Sequence, residues 1–482
     1  MIAVRNGTVV DVARGVAERL DVLIDGTTIR EVGPPGLAAP EGTRVIDAHD
    51  RLLLPGLINA HTHAHGTLGR GFGDRVNLEL LLNVAPAVSG RRTVEDKYLS
   101  AALGAVEMVS KGCTACYDLA VEFPAPTPEG VAAVAQAYAD VGMRAVVAPM
   151  IADRTLYEAM PGLLDAIPAS LRAAVDALRF APAERTIAAV RATLSTWTLP
   201  RERVRAALAP TIPLHCSDAF MTACRDLADE FDVGVHMHLA ESRVQAKVGR
   251  GHYGRSLTAH LARLGLLGPR FTAAHSIWID DDDIARLADA GASVAHNPGS
   301  NLRLGSGIAP VRRMRERGLN VGVGTDGASS ADNLNMFEAT RLASFVSRVV
   351  DDDPGRWIAT GEALAMATTG SARALGFDDI GALAPGYRAD IVFLDTRHPN
   401  YLPINDAVNQ IVHAEDATAV RSVMIDGRMV VDEGRVTTVD VARLAAQADE
   451  AVERLRASRA PARALADALA PVVGQICGAL GR

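Results

Sequence analysis

From residue 54 to about residue 380, short apolar runs alternate with longer amphipathic stretches, and no other feature limits the fold of this chain as tightly. Strands are assigned to Gly56–His63, Thr114–Leu119, Arg144–Ile151, Arg203–Pro210, Val233–Glu241, Phe271–Ile277, Ser293–Pro298 and Val321–Asp326. Helices fall between them at Val94–Lys111, Pro128–Gly142, Ala181–Thr196, Asp218–Asp232, Gly254–Leu266, Asp281–Ala290 and Pro310–Arg317. Such alternation builds βα units around a parallel sheet. Eight strands close a (β/α)8 barrel, so the expected class is α/β, a TIM barrel. Residues 152–180 are long for a βα connection and read as a partly helical lid after the third strand.

The flanks have another texture. Residues 1–53 hold short strands broken by Gly7, Gly26 and Pro34-Pro35-Gly36, too little chain to bury a good core alone. Strands return within 386–437. The simplest reading joins both ends into one β-sandwich domain (1–53 with 386–437) beside a barrel of 54–385. The Ala- and Arg-rich tail 438–482 reads as helical, packed on the barrel exterior or on a partner subunit of a homo-oligomer.

Charge narrows the partners. With 57 acidic and 49 basic residues the net charge is −8, which does not suit a nucleic-acid or anionic-membrane binder. No apolar run reaches the ~18–20 residues of a membrane span, and the start lacks a signal-peptide pattern, so a cytoplasmic protein is expected. Five scattered cysteines suit a reducing compartment, and Cys113-x-x-Cys116 reads as strand packing.

Chemistry collects at the strand ends. His61 and His63 close the first strand and share a face, because side chains alternate. The fifth strand ends in His238 followed by Glu241, the sixth in His275 and the eighth in Asp326. In a barrel all C-terminal strand ends face one mouth, so these distant groups converge. Imidazoles with one carboxylate suit a single first-row divalent ion, zinc first, with iron or manganese as alternatives. Glu241, three residues past His238, is placed to take and return the proton of a water that the ion acidifies. The only lysines are Lys97, Lys111 and Lys247, none at the fourth strand end, so a lysine-bridged two-metal site is excluded.

Over residues 1–437 the chain resembles the amidohydrolase superfamily. The motifs are Pro55-Gly56-Leu57-Ile58-Asn59-Ala60-His61-Thr62-His63, His238-Leu239-Ala240-Glu241-Ser242, His275, the run from Ala295 to Gly307, Gly324-Thr325-Asp326, and Gly386-Tyr387-Arg388-Ala389-Asp390-Ile391-Val392. The likeness is to the mononuclear branch with S-adenosylhomocysteine and guanine deaminases and triazine hydrolases. It implies that His61, His63, His238 and Asp326 bind the metal. His275 would be a further ligand or would contact the water or the tetrahedral oxygen. Glu241 would shuttle a proton to a ring nitrogen, and Asp326 would accept one from the water. The implied activity is hydrolytic deamination of a small aminated N-heterocycle of purine, pterin, pyrimidine or triazine type. The alternatives are cyclic-amide hydrolysis or triazine dechlorination, and, from another class, a silent scaffold.

Further candidates for substrate contact are His65, Asp118, Thr211, His296 and Asn297. Asp118 has a second reading as a loop cap, and His296 with Asn297 as structural caps. His236 stands behind His238. Thr211 occupies the place where many nucleoside deaminases carry a histidine, and the tryptophan common in the helix near Leu78-Glu79-Leu80 is missing. Both departures point away from an adenosine-like substrate.

Overall fold

A computed structural model describes residues 1–89 and 92–482. Eight parallel strands form one sheet in chain order: Leu57–Thr62, Cys113–Val121, Arg144–Ile151, Val204–Pro210, Gly234–Leu239, Phe271–His275, Ser293–His296 and Asn320–Val323. The first and eighth strands meet: Asp326 N–H donates to His61 O at 2.9 Å, and Thr325 N–H donates to Asn59 Oδ1 at 3.0 Å. Gly322 allows that approach, since a Cβ there would lie 2.9 Å from the Ala60 methyl. The barrel interior is lined by small residues, among them Ala60, Ala115, Ala148, Ala207, Ala209 and Ala295. Barrels usually fill this space with bulky branched side chains. Here Ile58, Leu119, Val146, Leu375 and Ile380 share it with the alanines, Tyr117 and Phe377, and with the buried imidazoles described below.

The chain ends share one nine-stranded sheet. Its order is Arg435–Val436, Arg428–Asp432, Val420–Ile425, Ile391–Asp395, Arg51–Pro55, Ile2–Asp11, Val16–Asp25 and Thr28–Gly33, with Arg44–Asp47 added to Ile2–Asp11. It curls over its own core, in which Val4, Val22 and Ile29 pack with Ile391, Phe393 and Met424, and Thr28 bridges back to Arg388.

One expectation is corrected here. The strand assigned to Gly56–His63 runs Leu57–Thr62, and residues 54 and 55, counted with the barrel, pair in the end sheet. Arg51–Pro55 belongs to the end sheet and pairs with Ile391–Asp395; Leu57–Thr62 belongs to the barrel. The chain changes sheets at Gly56, where a Cβ would lie 2.0 Å from Thr114 Oγ1, so no other residue fits the crossing. The insertion 152–180 contains three short helices, Leu156–Ala159, Leu163–Ala166 and Ala169–Asp176. Two helices not anticipated from sequence, Met336–Val350 and Ala407–His413, pack the last barrel turn against the end sheet.

The tail is one helix, Val441–Gly481. It holds an 18-residue window with mean hydropathy 1.4, long and apolar enough to cross a membrane by length and composition, which amends the expectation of no such run. In the structure the helix lies along helix Leu78–Ser89 and buries Leu455, Ala466, Leu469, Val473 and Cys477. All five cysteines are buried and unpaired.

A buried charge cluster ties barrel to end sheet. Arg144, 1% exposed, opens the third barrel strand. Its Nη2 donates to Asp426 Oδ1 at 2.8 Å and lies 3.3 Å from Asp390 Oδ2. Removing one partner of a buried pair strands the others without water. Arg144→Met is expected to lose about 3–5 kcal/mol of stability near neutral pH by urea denaturation. The deficit should narrow as the buffer is acidified. Burial already raises the Asp390 pKa; without Arg144 it rises further, so the folded variant binds more protons than the unfolded chain and regains stability as pH falls.

Candidate metal centre and active site

Four strand ends, the first, fifth, sixth and eighth, bring six side chains together at the barrel mouth. The His61 ring centroid lies 4.7 Å from that of His63, 5.0 Å from His238 and 5.5 Å from His275. Asp326 Oδ1 is 3.5 Å from His61 Nε2 and 3.2 Å from His63 Nε2. Glu241 Oε2 is 3.7 Å from His275 Nε2. Donor atoms of His61, His63 and His238, and of His61, His275 and Asp326, each lie within 4.8 Å of one another.

Backbone conformation aims these groups. Ala240, His275, Ser276 and Asp326 all have positive φ, between 47° and 67°. This left-handed region is unfavourable for residues with a Cβ. It turns the chain sharply where the strand stops and leaves the side chain over the mouth. Gly324 supports the last turn, because a Cβ there would fall 2.4 Å from Asn297 Oδ1 and 2.8 Å from the His61 backbone.

Hydrogen bonds set the tautomers. His63 Nδ1 is 2.8 Å from Leu119 O, and His238 Nδ1 is 2.8 Å from Thr211 O. A carbonyl only accepts, so both imidazoles carry their proton on Nδ1 and turn a bare Nε2 inward. Those two Nε2 atoms are 3.2 Å apart. Two lone pairs facing each other at that distance repel unless a cation, or a proton on one of them, lies between. His275 follows the same rule: its Nδ1 is 2.8 Å from Asn301 Oδ1, and its buried Nε2 has no partner. Both His61 nitrogens are likewise buried without partners. Nitrogen and carboxylate donors in this set fit zinc or a similar divalent ion.

Electrostatics agree. Burial pulls the His61 pKa down to about 3 and lowers that of His275, so both are neutral and able to bind a cation. Burial pulls on His63 too, but the Asp326 carboxylate outweighs it and leaves its pKa above the usual value. Burial alone would push the Asp326 carboxyl up, yet the His61 and His63 imidazoles beside it hold it well below the carboxylate range. Burial drives the Glu241 carboxyl well above its usual value, and the Asp326 and Glu79 charges add to this. The two carboxyls are thereby pushed apart: Asp326 ionised, Glu241 held towards its protonated form.

The remaining candidates take several places. Thr211 orients His238 through its carbonyl. Asn297 Nδ2 lies 3.4 Å from His275 Nδ1. His296 is fully buried with both ring nitrogens unpartnered. His65 sits behind His63, ring centroids 5.3 Å apart, with its Nδ1 3.4 Å from Val121 N. Asp118 does not reach the mouth. It is fully buried, and its oxygens accept from Ala64 N and the Tyr138 hydroxyl, both at 3.0 Å, so it secures the turn after His63. His236 is buried behind His61, edge-on to Tyr117 at 4.4 Å.

Four functional neighbours carried no role in the sequence reading. Ser300 Oγ donates to Asp326 Oδ2 at 2.6 Å, and Asn301 holds His275. Both lie in the Ala295–Gly307 run, so the segment was visible although the roles were not. Glu79 and Gln245 flank Glu241 and had no motif to mark them.

Comparison with known proteins agrees with this geometry. Residues 52–430 match the model of the amidohydrolase family. The chain is 36% identical over 440 residues to a 5-methylthioadenosine/S-adenosylhomocysteine deaminase of Syntrophomonas wolfei, covering 90% of this chain and 94% of the relative. Among solved structures, an adenosine deaminase from Xanthomonas campestris with bound zinc superposes with a TM-score of 0.83 at 29% identity, covering 95% and 98% of the two chains. An atrazine chlorohydrolase of Arthrobacter aurescens complexed with zinc gives a TM-score of 0.84 at 27% identity, covering 94% and 100%.

Partners that orient metal-bound histidines usually contribute about 10–100-fold in affinity. Asn301→Ala is expected to weaken zinc binding by about that factor in a chelator competition. Unaltered affinity would mean that His275 does not ligate the ion.

Proposed function

The chain belongs to the amidohydrolase family, and on that footing we propose that it is a metal-dependent hydrolytic deaminase of aminated N-heterocycles, with 6-aminopurine nucleosides as the substrate class. One observation carries the deaminase reading: a fully buried carboxyl, Glu241, biased towards its protonated form, beside an ionised Asp326 and a convergent set of imidazoles. The named activity of the 36% identical relative supports the nucleoside class, against the departures at Thr211 and in helix 78–89.

His61, His63, His238 and Asp326 would hold the cation, with His275 as a further ligand. The cation supplies Lewis acidity that lowers the pKa of water towards ~7. Asp326, kept ionised, takes the proton of the attacking water. Glu241 gives its proton to the ring nitrogen next to the carbon under attack, so that the added electron pair has a place to rest. Asp326 returns the proton it took to the exocyclic amine, which leaves as ammonia, and the hydroxyl proton of the new carbonyl goes back to Glu241. In this reading His275 takes the ligand role. His275 carries its proton on Nδ1, towards Asn301, so Nε2 has none to offer a developing oxyanion. It acts as a lone-pair donor instead.

Ammonia release from a panel of aminopurines, aminopterins and aminotriazines tests the reading. Glu241→Gln should keep its zinc and lose about 10²–10⁴-fold in turnover, the usual worth of a general acid–base. Chloride release from a chlorotriazine, with no ammonia from any panel member, would replace the deaminase by the chlorohydrolase.

A further inference from the structure

We propose that Glu79 is a positioning residue for Glu241 and that the C-terminal helix holds it there. This rests on the proton-transfer role given to Glu241.

A closed hydrogen-bond path fixes the turn that carries Glu241. Its backbone N–H donates to Gln245 Oε1 at 2.9 Å. Gln245 N–H donates to Ser242 Oγ at 3.1 Å, which caps the helix Arg243–Tyr253. Ser242 Oγ–H donates to Glu79 Oε1 at 2.6 Å. Each member is buried: Glu241 and Gln245 2% exposed, Ser242 6%, Glu79 3%. A serine hydroxyl has one proton and two acceptor sites. With that proton directed to Glu79, both acceptor sites of Oγ are turned towards other donors, Gln245 N–H among them.

Glu79 comes from outside this turn, in the first turn of helix Leu78–Ser89, and forms no salt bridge among the described residues. A buried carboxylate without a cation is costly. What keeps it in place is the tail. Four residues on, Asn83 Nδ2 donates to Ala466 O at 2.8 Å, while Asn83 Oδ1 accepts from the Tyr157 hydroxyl at 2.9 Å. Val84, Ala87 and Val88 form a small core with Ala466. Arg459 Nη2 donates to Leu68 O at 2.9 Å and to Val88 O at 3.2 Å. At the far end Lys247, on the helix after Ser242, donates to the Arg482 carbonyl. The tail therefore grips both helices whose first turns meet at the Glu79–Ser242 bond.

Small displacements of a reacting group can cost about 10²-fold. In the zinc-loaded full-length protein, Glu79→Ala should lower kcat about 10–100-fold with KM within about threefold. Glu79→Gln, whose amide oxygen still accepts from Ser242, should recover most of that loss. Hydrogen exchange at the Glu241 and Gln245 amides should quicken in Glu79→Ala and return in Glu79→Gln, with no turnover required. A full-rate Glu79→Ala, unchanged exchange in it, or a Glu79→Gln as slow as the alanine variant each overturns the proposal. If Glu79→Ala does not fold, Ser242→Ala against Ser242→Thr makes the same comparison, since threonine keeps the hydroxyl. Ordered exchange in a wild type that releases no ammonia would remove the role given to Glu241 and leave its positioning intact.

Discussion

Facing lone pairs at the barrel mouth are the constraint on which the rest depends. His63 and His238 each give their one proton to a backbone carbonyl, and their bare Nε2 atoms meet at 3.2 Å. His61 and His275 add further unpartnered nitrogens at the same point. Asp326 supplies a negative charge. In a buried place of low dielectric this arrangement is unstable alone and stable around a cation. Each donor comes from a different strand end, apart from the His61–His63 pair, so the centre exists only when the barrel is closed.

Closure and aim are linked through the backbone. The first and eighth strands join through Asp326 N–H and His61 O, two residues that also bring donors to the centre. The left-handed turns at Ala240, His275, Ser276 and Asp326 cost conformational energy. Neighbouring strands hold them: Ser276 N–H donates to Leu239 O at 3.0 Å and Trp278 N–H to Ala240 O at 3.0 Å. An alanine-lined interior leaves volume for the imidazoles. Small interior side chains and left-handed turns thus both serve the mouth, where the imidazoles need room.

The parts outside the barrel serve the same end. Arg144 locks the lower end of the third strand to Asp390 and Asp426 of the end sheet. The tail helix covers the opposite flank and reaches the first turns of two helices at the mouth. A βα barrel with bare loops could hold an ion; a fixed proton donor beside that ion needs the loops pinned as well.

Much of this was legible in the chain. Strand periodicity, with eight strands and seven helices between them, set the barrel, and residue type at the strand ends marked His61, His63, His238, His275, Asp326 and Glu241, because side-chain direction in a strand and the common mouth of a barrel are local rules. What sequence could not supply depended on pairs distant along the chain. The split at Gly56 is set by Thr114, which crowds it. Asp118 went to a buried turn because Tyr138 and Ala64 satisfy it there. The His275 Nδ1 faces Asn301 Oδ1, 26 residues on, and the Ser242–Glu79 hydrogen bond joins residues 163 apart. Residue type and spacing determine which groups can bind a cation or carry a proton; only packing decides which atom of each group is free, since a proton or a lone pair is assigned by its partner.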